Sequence, residues 1–163
     1  MNTMPRLLLI ACLALPFAAC KKEEAPKVEA VAAPMAAPTT DDVTAWRAYV
    51  TDVARRHMDG ITNSPYVYFL PGEASEGFGG LYERQLEKVE GDLGRGIIEG
   101  NMLVFASPSS TKAAELAVTG FAQVQPGTMK GVKLIFIGKP DPGREVKAAV
   151  EPAGVNYIFV EAK

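Results

Sequence analysis

Four short apolar runs constrain what this chain can fold into: Tyr66-Val67-Tyr68-Phe69-Leu70, Met102-Leu103-Val104-Phe105-Ala106, Leu134-Ile135-Phe136-Ile137 and Asn156-Tyr157-Ile158-Phe159-Val160. They are mostly aromatic or β-branched and hardly alternate, which is the pattern of strands covered on both faces. Between them the period changes to helical spacing: Tyr82, Leu86, Val89 and Leu93, then Ala113, Leu116, Ala117 and Phe121, then Val146, Ala149 and Val150. Strand and helix therefore alternate. Short crossovers between buried strands imply a single three-layer α/β domain with about four mostly parallel strands and right-handed connections. An antiparallel α+β arrangement is the alternative, and strand order is not readable from the pattern.

A further helix precedes the first run. Asp41-Asp42 offers capping carboxylates; Val43, Trp46, Val50, Val53 and His57 follow at three- and four-residue steps, with Arg55-Arg56 late and Gly60 as the stop. His57 falls on or beside the apolar stripe, which suits a partly buried structural histidine. Elsewhere, Ser107 before Pro108 has the form of a helix N-cap followed by proline, and Gly94, Gly96, Gly120 and Gly154 sit near helix ends.

In an open parallel sheet, ligands bind beyond the carboxyl ends of the strands, where helix N-termini present free N–H groups. Three loops there carry polar residues. The first, from Pro71 to Gly80, is glycine-rich but lacks the Lys-Ser or Lys-Thr of a phosphate-binding loop, and Glu73 and Glu76 would repel phosphate. The second, Ser107-Pro108-Ser109-Ser110-Thr111-Lys112, places hydroxyls and an ammonium at a helix start, the arrangement that stabilises anions. The third, Gly138 to Arg144, adds Lys139 and Arg144 to the same edge. The candidate ligand-binding residues are thus Ser107, Ser109, Ser110, Lys112, Lys139 and Arg144. Helix capping alone is the favoured reading of the serines, and solvated surface charge that of the cations.

The first 20 residues form a separate signal. Arg6 is the only charge before Cys20, the run from Leu7 to Leu15 has the length of a secretory apolar segment, and Pro16-Phe17-Ala18-Ala19 places small residues directly before Cys20. This segment resembles the leader and lipobox of bacterial lipoproteins, with Phe17 where that family usually carries Leu. An acceptor at Cys12 would leave too short an apolar run. The resemblance implies a signal peptide over residues 1–19, lipidation of Cys20 and membrane attachment through it. With Lys21 next in the chain, it further implies the outer membrane of a Gram-negative host, facing the periplasm; a host with one membrane would give surface display. Residues 21–40 read KKEEAPKVEAVAAPMAAPTT, an alanine- and proline-rich tether, so residues 20–40 are expected to be anchor site and linker and residues 41–163 the globular domain.

Charge and composition exclude several functions. The 17 lysines and arginines against 19 acidic residues give a net charge of −2, and loss of Arg6 makes it −3. A nucleic-acid partner would require a basic face. Both cysteines lie in the leader or at its end, so the domain holds no thiolate metal site, and with one histidine neither a multi-histidine metal site nor a Ser-His pair is suggested. No cofactor motif is present. The expected function is a non-enzymatic module that binds an envelope protein or assists an assembly there; the alternative is a small-molecule or anion-binding module using helix starts at Ser107 and Gly143.

Overall fold

The computed structural model describes Ala33–Lys163. Residues 1–19, read as a signal peptide, Cys20 and the first part of the segment read as a tether lie outside the described residues. Helix α1 (Val43–Arg56) is followed by β1 (Tyr66–Phe69), α2 (Phe78–Gly94), β2 (Met102–Ala106), α3 (Ser110–Phe121), β3 (Lys133–Gly138), α4 (Pro140–Val150) and β4 (Asn156–Glu161). The strands form one parallel sheet in the order β1-β2-β3-β4. Right-handed crossovers taken in that order place every connecting helix on one face, and α2, α3 and α4 pack there. Helix α1 covers the other face, completing three layers.

Register explains which side chains meet. Tyr68, Phe105, Phe136 and Phe159 are partners across the four strands. Tyr68, Phe105 and Phe136 are fully buried in the core beneath the crossover helices, together with Leu103, Leu116 and Val146. On the opposite face Val104, Ile135, Ala106 and Ile137 pack under Trp46, Tyr49, Val50 and Val53 of α1. Gly120 lets α2 and α3 approach closely, since a Cβ there would collide with Val89.

Only the two central strands are covered on both faces. Val67 of β1, on the α1 face, is 42% exposed because one helix is too narrow to roof four strands, and Phe159 of β4, on the crossover face, is 37% exposed because β4 is a sheet edge. Part of the segment read as a tether contributes to the α1 layer. The Met35 N–H donates to Asp52 (3.1 Å), Trp46 Nε1–H donates to the Thr40 carbonyl (2.8 Å), and Ala37 packs against the core.

Three helix boundaries differ from the sequence reading. Helix α3 starts at Ser110 with Ser109 at the cap position, not at Ser107. The Ser107 hydroxyl instead accepts the Ser109 N–H (2.9 Å), closing a local turn that competes with capping. Helix α4 begins at Pro140, before Gly143, as the fixed φ of proline favours at a first helical position. Helix α2 begins at Phe78, so Gly79 and Gly80 are helical and the glycine-rich loop is shorter than its composition suggests.

Candidate functional site

All four helices run antiparallel to the strands, so their N-termini gather at the carboxyl edge of the sheet. The three crossovers do so by construction. For α1, the residues at its start, Asp41 and Trp46, share a hollow of about 320 Å³ with Ser107, Gly138 and Lys139. Its other end lies at the amino edge, where Lys133 Nζ donates to the carbonyls of His57 (2.6 Å) and Asp59 (2.9 Å). A cation there satisfies carbonyls that the helix leaves unpaired and opposes the negative end of its dipole. Asp42 caps α1 by accepting the Ala45 N–H at 2.7 Å. The cap residues of α2, α3 and α4 make no side-chain hydrogen bond to their own helix.

At this edge the three candidate serines join neighbouring loops. Ser107 Oγ donates to the Pro71 carbonyl (3.3 Å), Ser109 Oγ accepts the Glu73 N–H (2.9 Å), and Ser110 Oγ accepts the Lys139 N–H (2.8 Å). The loop after β2 is thereby tied to the loops on both sides of it. Ser107 and Ser110 are buried. Gly138 permits the last of these bonds, because a Cβ there would occupy the Ser110 hydroxyl position.

The three candidate cations are brought to the same edge but not into one pocket. Lys112 donates to Glu115 (2.8 Å) and stands 3.7 Å from Glu73. The hydrogen bond to Glu115 outweighs partial desolvation and, with the nearby glutamate charges, raises its pKa above the usual lysine value. Arg144 pairs with Asp141, both well exposed. Lys139 is exposed and takes part in none of the ion pairs among the described residues. Lys112 lines a hollow of about 280 Å³ with Phe78 and Tyr82, whereas Lys139 lines the 320 Å³ hollow and one of about 450 Å³ with Pro142 and Glu145. Arg144 lines none of these three.

His57 follows α1 at the amino edge, its Nδ1 2.8 Å from the Val53 carbonyl and its ring partly buried. A 14-residue helix spans about 20 Å, so the ring is far from the serines. Among the described residues no group of three or more His, Cys, Asp or Glu could hold a metal ion, and no helix is long and apolar enough to cross a membrane.

One polar cluster escaped the sequence reading. Asp92, 5% exposed, accepts a hydrogen bond from the fully buried Tyr68 hydroxyl (3.0 Å), bonds Lys88 Nζ (2.5 Å) and pairs with Arg95. Burial pushes its carboxyl pKa up. The hydrogen bonds from Lys88 and Tyr68, with the charges of Lys88 and Arg95, outweigh burial and hold it below the usual carboxylate value. Tyr68 is raised, first by burial and then by its bond to the carboxylate. The available signal was Lys88, Asp92 and Arg95 at four- and three-residue steps on one helix, beside the apolar stripe ending in Val89 and Leu93.

A hollow of about 650 Å³ lies at the amino edge between the ends of α2 and α3, lined by Leu93, Arg95, Ile97, Val124 and Met129 among others. Comparison with known protein families, curated proteins and solved structures gives no match to this chain.

Proposed function

We propose that this chain is a membrane-anchored periplasmic lipoprotein, lipidated at Cys20, whose α/β domain acts as a non-enzymatic binding or envelope-assembly module. The leader ending in Ala18-Ala19-Cys20 supports the anchor and the outer-membrane address, and the alanine- and proline-rich residues after it support a module held near its site of action. The observation that carries the domain reading is the use of Ser107, Ser109 and Ser110 to bind adjacent loops. These hydroxyls hold the carboxyl edge rigid, and Lys112 is held by two glutamates beside it. Such an edge suits a scaffold for presenting surface better than a reactive centre.

The second reading, a small-molecule or anion-binding module, is favoured by one feature: Lys139 lies beside the starts of α3 and α4 and has no carboxylate partner among the described residues. Thermal unfolding with a panel of phosphorylated and carboxylated metabolites separates the two. A ligand at 100 times its dissociation constant adds about 2.7 kcal/mol and raises the midpoint visibly. The protein-binding reading predicts no such rise. A rise abolished by Lys112→Ala or Lys139→Ala would replace it with the anion reading.

A further inference from the structure

The two flanks of α1 differ. On the β4 side, residues 35–40 pack beside the helix through the Met35 and Trp46 hydrogen bonds and Ala37. On the β1 side the described residues leave a slot of about 320 Å³ lined by Arg47, Val50 and Thr51 of α1, Val67 and Phe69 of β1, and Gln85 of α2. Because β1 is the first strand of the sheet, its outer backbone N–H and C=O groups have no strand partner within the sheet. Edges of this kind are commonly blunted by charge, proline or a bulge. The four residues Tyr66–Phe69 carry no charge, no proline and an exposed valine.

Basic side chains flank this edge on both faces, Arg47 on one and Lys88, paired with Asp92, on the other. The Arg47 guanidinium lies over the Phe69 ring at 5.8 Å on the α1 side. On the crossover side the Lys88 ammonium lies over the rings of Tyr66 (5.9 Å) and Tyr68 (5.3 Å). No acidic residue lines the slot. Asp92, which bonds Lys88, Arg95 and Tyr68, is buried.

We propose that the β1 edge is a strand-addition site for an extended, acidic peptide segment of a partner protein. Main-chain bonds to β1 would hold the segment in register, since an added strand completes the open hydrogen-bonding edge. Alternate side chains would fall on the α1 face beside Val67 and Phe69, where an apolar residue fills the slot against Val50. An acidic side chain at the rim would meet Arg47, and one on the other face would approach Lys88. This inference rests on the binding-module reading, for which it names the partner chemistry.

The test is an amide chemical-shift titration of the full chain with two decapeptides, one alternating valine with glutamate and one alternating valine with lysine. The glutamate peptide is expected to shift Tyr66–Phe69 and Arg47–Thr51, and to bind about tenfold more tightly than the lysine peptide. Arg47→Glu, an exposed substitution that leaves the core intact, is expected to reverse that preference, a gain of binding that misfolding could not produce. Equal binding of both peptides, shifts confined to other elements, no shifts at all, or a preference unchanged by Arg47→Glu would each overturn the proposal. So would dimerisation through β1 in sedimentation, which would assign the edge to a second copy of the chain. If the peptide shifts appear but the chain is not lipidated at Cys20, the lipoprotein reading alone falls. If it is lipidated and the shifts are absent, the β1 proposal alone falls.

Discussion

Replacing Asp92 by alanine should destabilise the domain by about 2–3 kcal/mol, most of it through one partner. The Tyr68 hydroxyl is fully buried and donates only to Asp92 among the hydrogen bonds of the described residues. Leaving a buried donor unsatisfied costs about 1–3 kcal/mol. Lys88 and Arg95 add little, because their side chains are 53% and 73% exposed; exposed pairs of this spacing contribute about 0.3–0.5 kcal/mol each. Tyr68→Phe keeps Asp92 paired with both cations and should cost about 1–2 kcal/mol. The double variant should fall short of the two single losses added together by about 1 kcal/mol or more, since removing both partners leaves nothing orphaned. Equilibrium urea unfolding of the four proteins measures this directly. Because the folded-state pKa of Asp92 is depressed, the unfolded chain binds more protons in the acid range. Its contribution is therefore complete above about pH 4 and lost as pH falls through the folded value. Asp92→Asn should flatten that part of the acid limb. A cost below about 0.5 kcal/mol for Asp92→Ala, or strict additivity in the cycle, would refute the account of this cluster.

Three further outcomes follow from particular contacts. Ser110→Ala removes the acceptor of the Lys139 N–H; it should cost about 1–2 kcal/mol and speed hydrogen exchange at Lys139, read by NMR. Gly120→Ala forces a methyl against Val89 and should lower stability by about 1–3 kcal/mol in thermal unfolding, as overpacking between helices does. Tyr157, whose hydroxyl donates to the Gly143 carbonyl at 2.7 Å, has its pKa pushed up to about 12 by burial. The folded chain thus holds that proton more tightly, so stability is full below about pH 10 and declines as pH rises from there towards 12, and phenolate absorbance should lag behind that of a free tyrosine.

Strand positions were legible because a parallel sheet covered on both faces leaves long apolar runs, and Met102–Ala106 is buried at every residue. The mostly parallel expectation followed from the helices between the runs, and all three strand pairs are parallel. Helix starts were less legible, since a serine can either cap a helix or bond within a turn before it, and Ser107 does the latter. The exposure of Val67 and Phe159 was hidden because the pattern of a run does not say which strands become edges. That depends on strand order, a long-range property. At the carboxyl edge the residue types were readable but their partners were not. The serines bond to backbone groups 29 to 36 residues away in sequence, and no local spacing encodes such pairings. The roles of Asp92 and Lys133 were hidden for the same reason: they come from Tyr68 on another element and from the end of α1.

The claim on which the functional account depends most is attachment through Cys20. Intact-mass measurement of the chain recovered from the envelope of a Gram-negative expression host tests it directly, with Cys20→Ser as control. The account predicts a mature chain beginning at Cys20 and carrying the mass of a diacylglyceryl group and an amide-linked acyl chain, while the variant lacks lipid and leaves the membrane fraction. A chain that keeps residues 1–19, or begins elsewhere without added lipid, would contradict it.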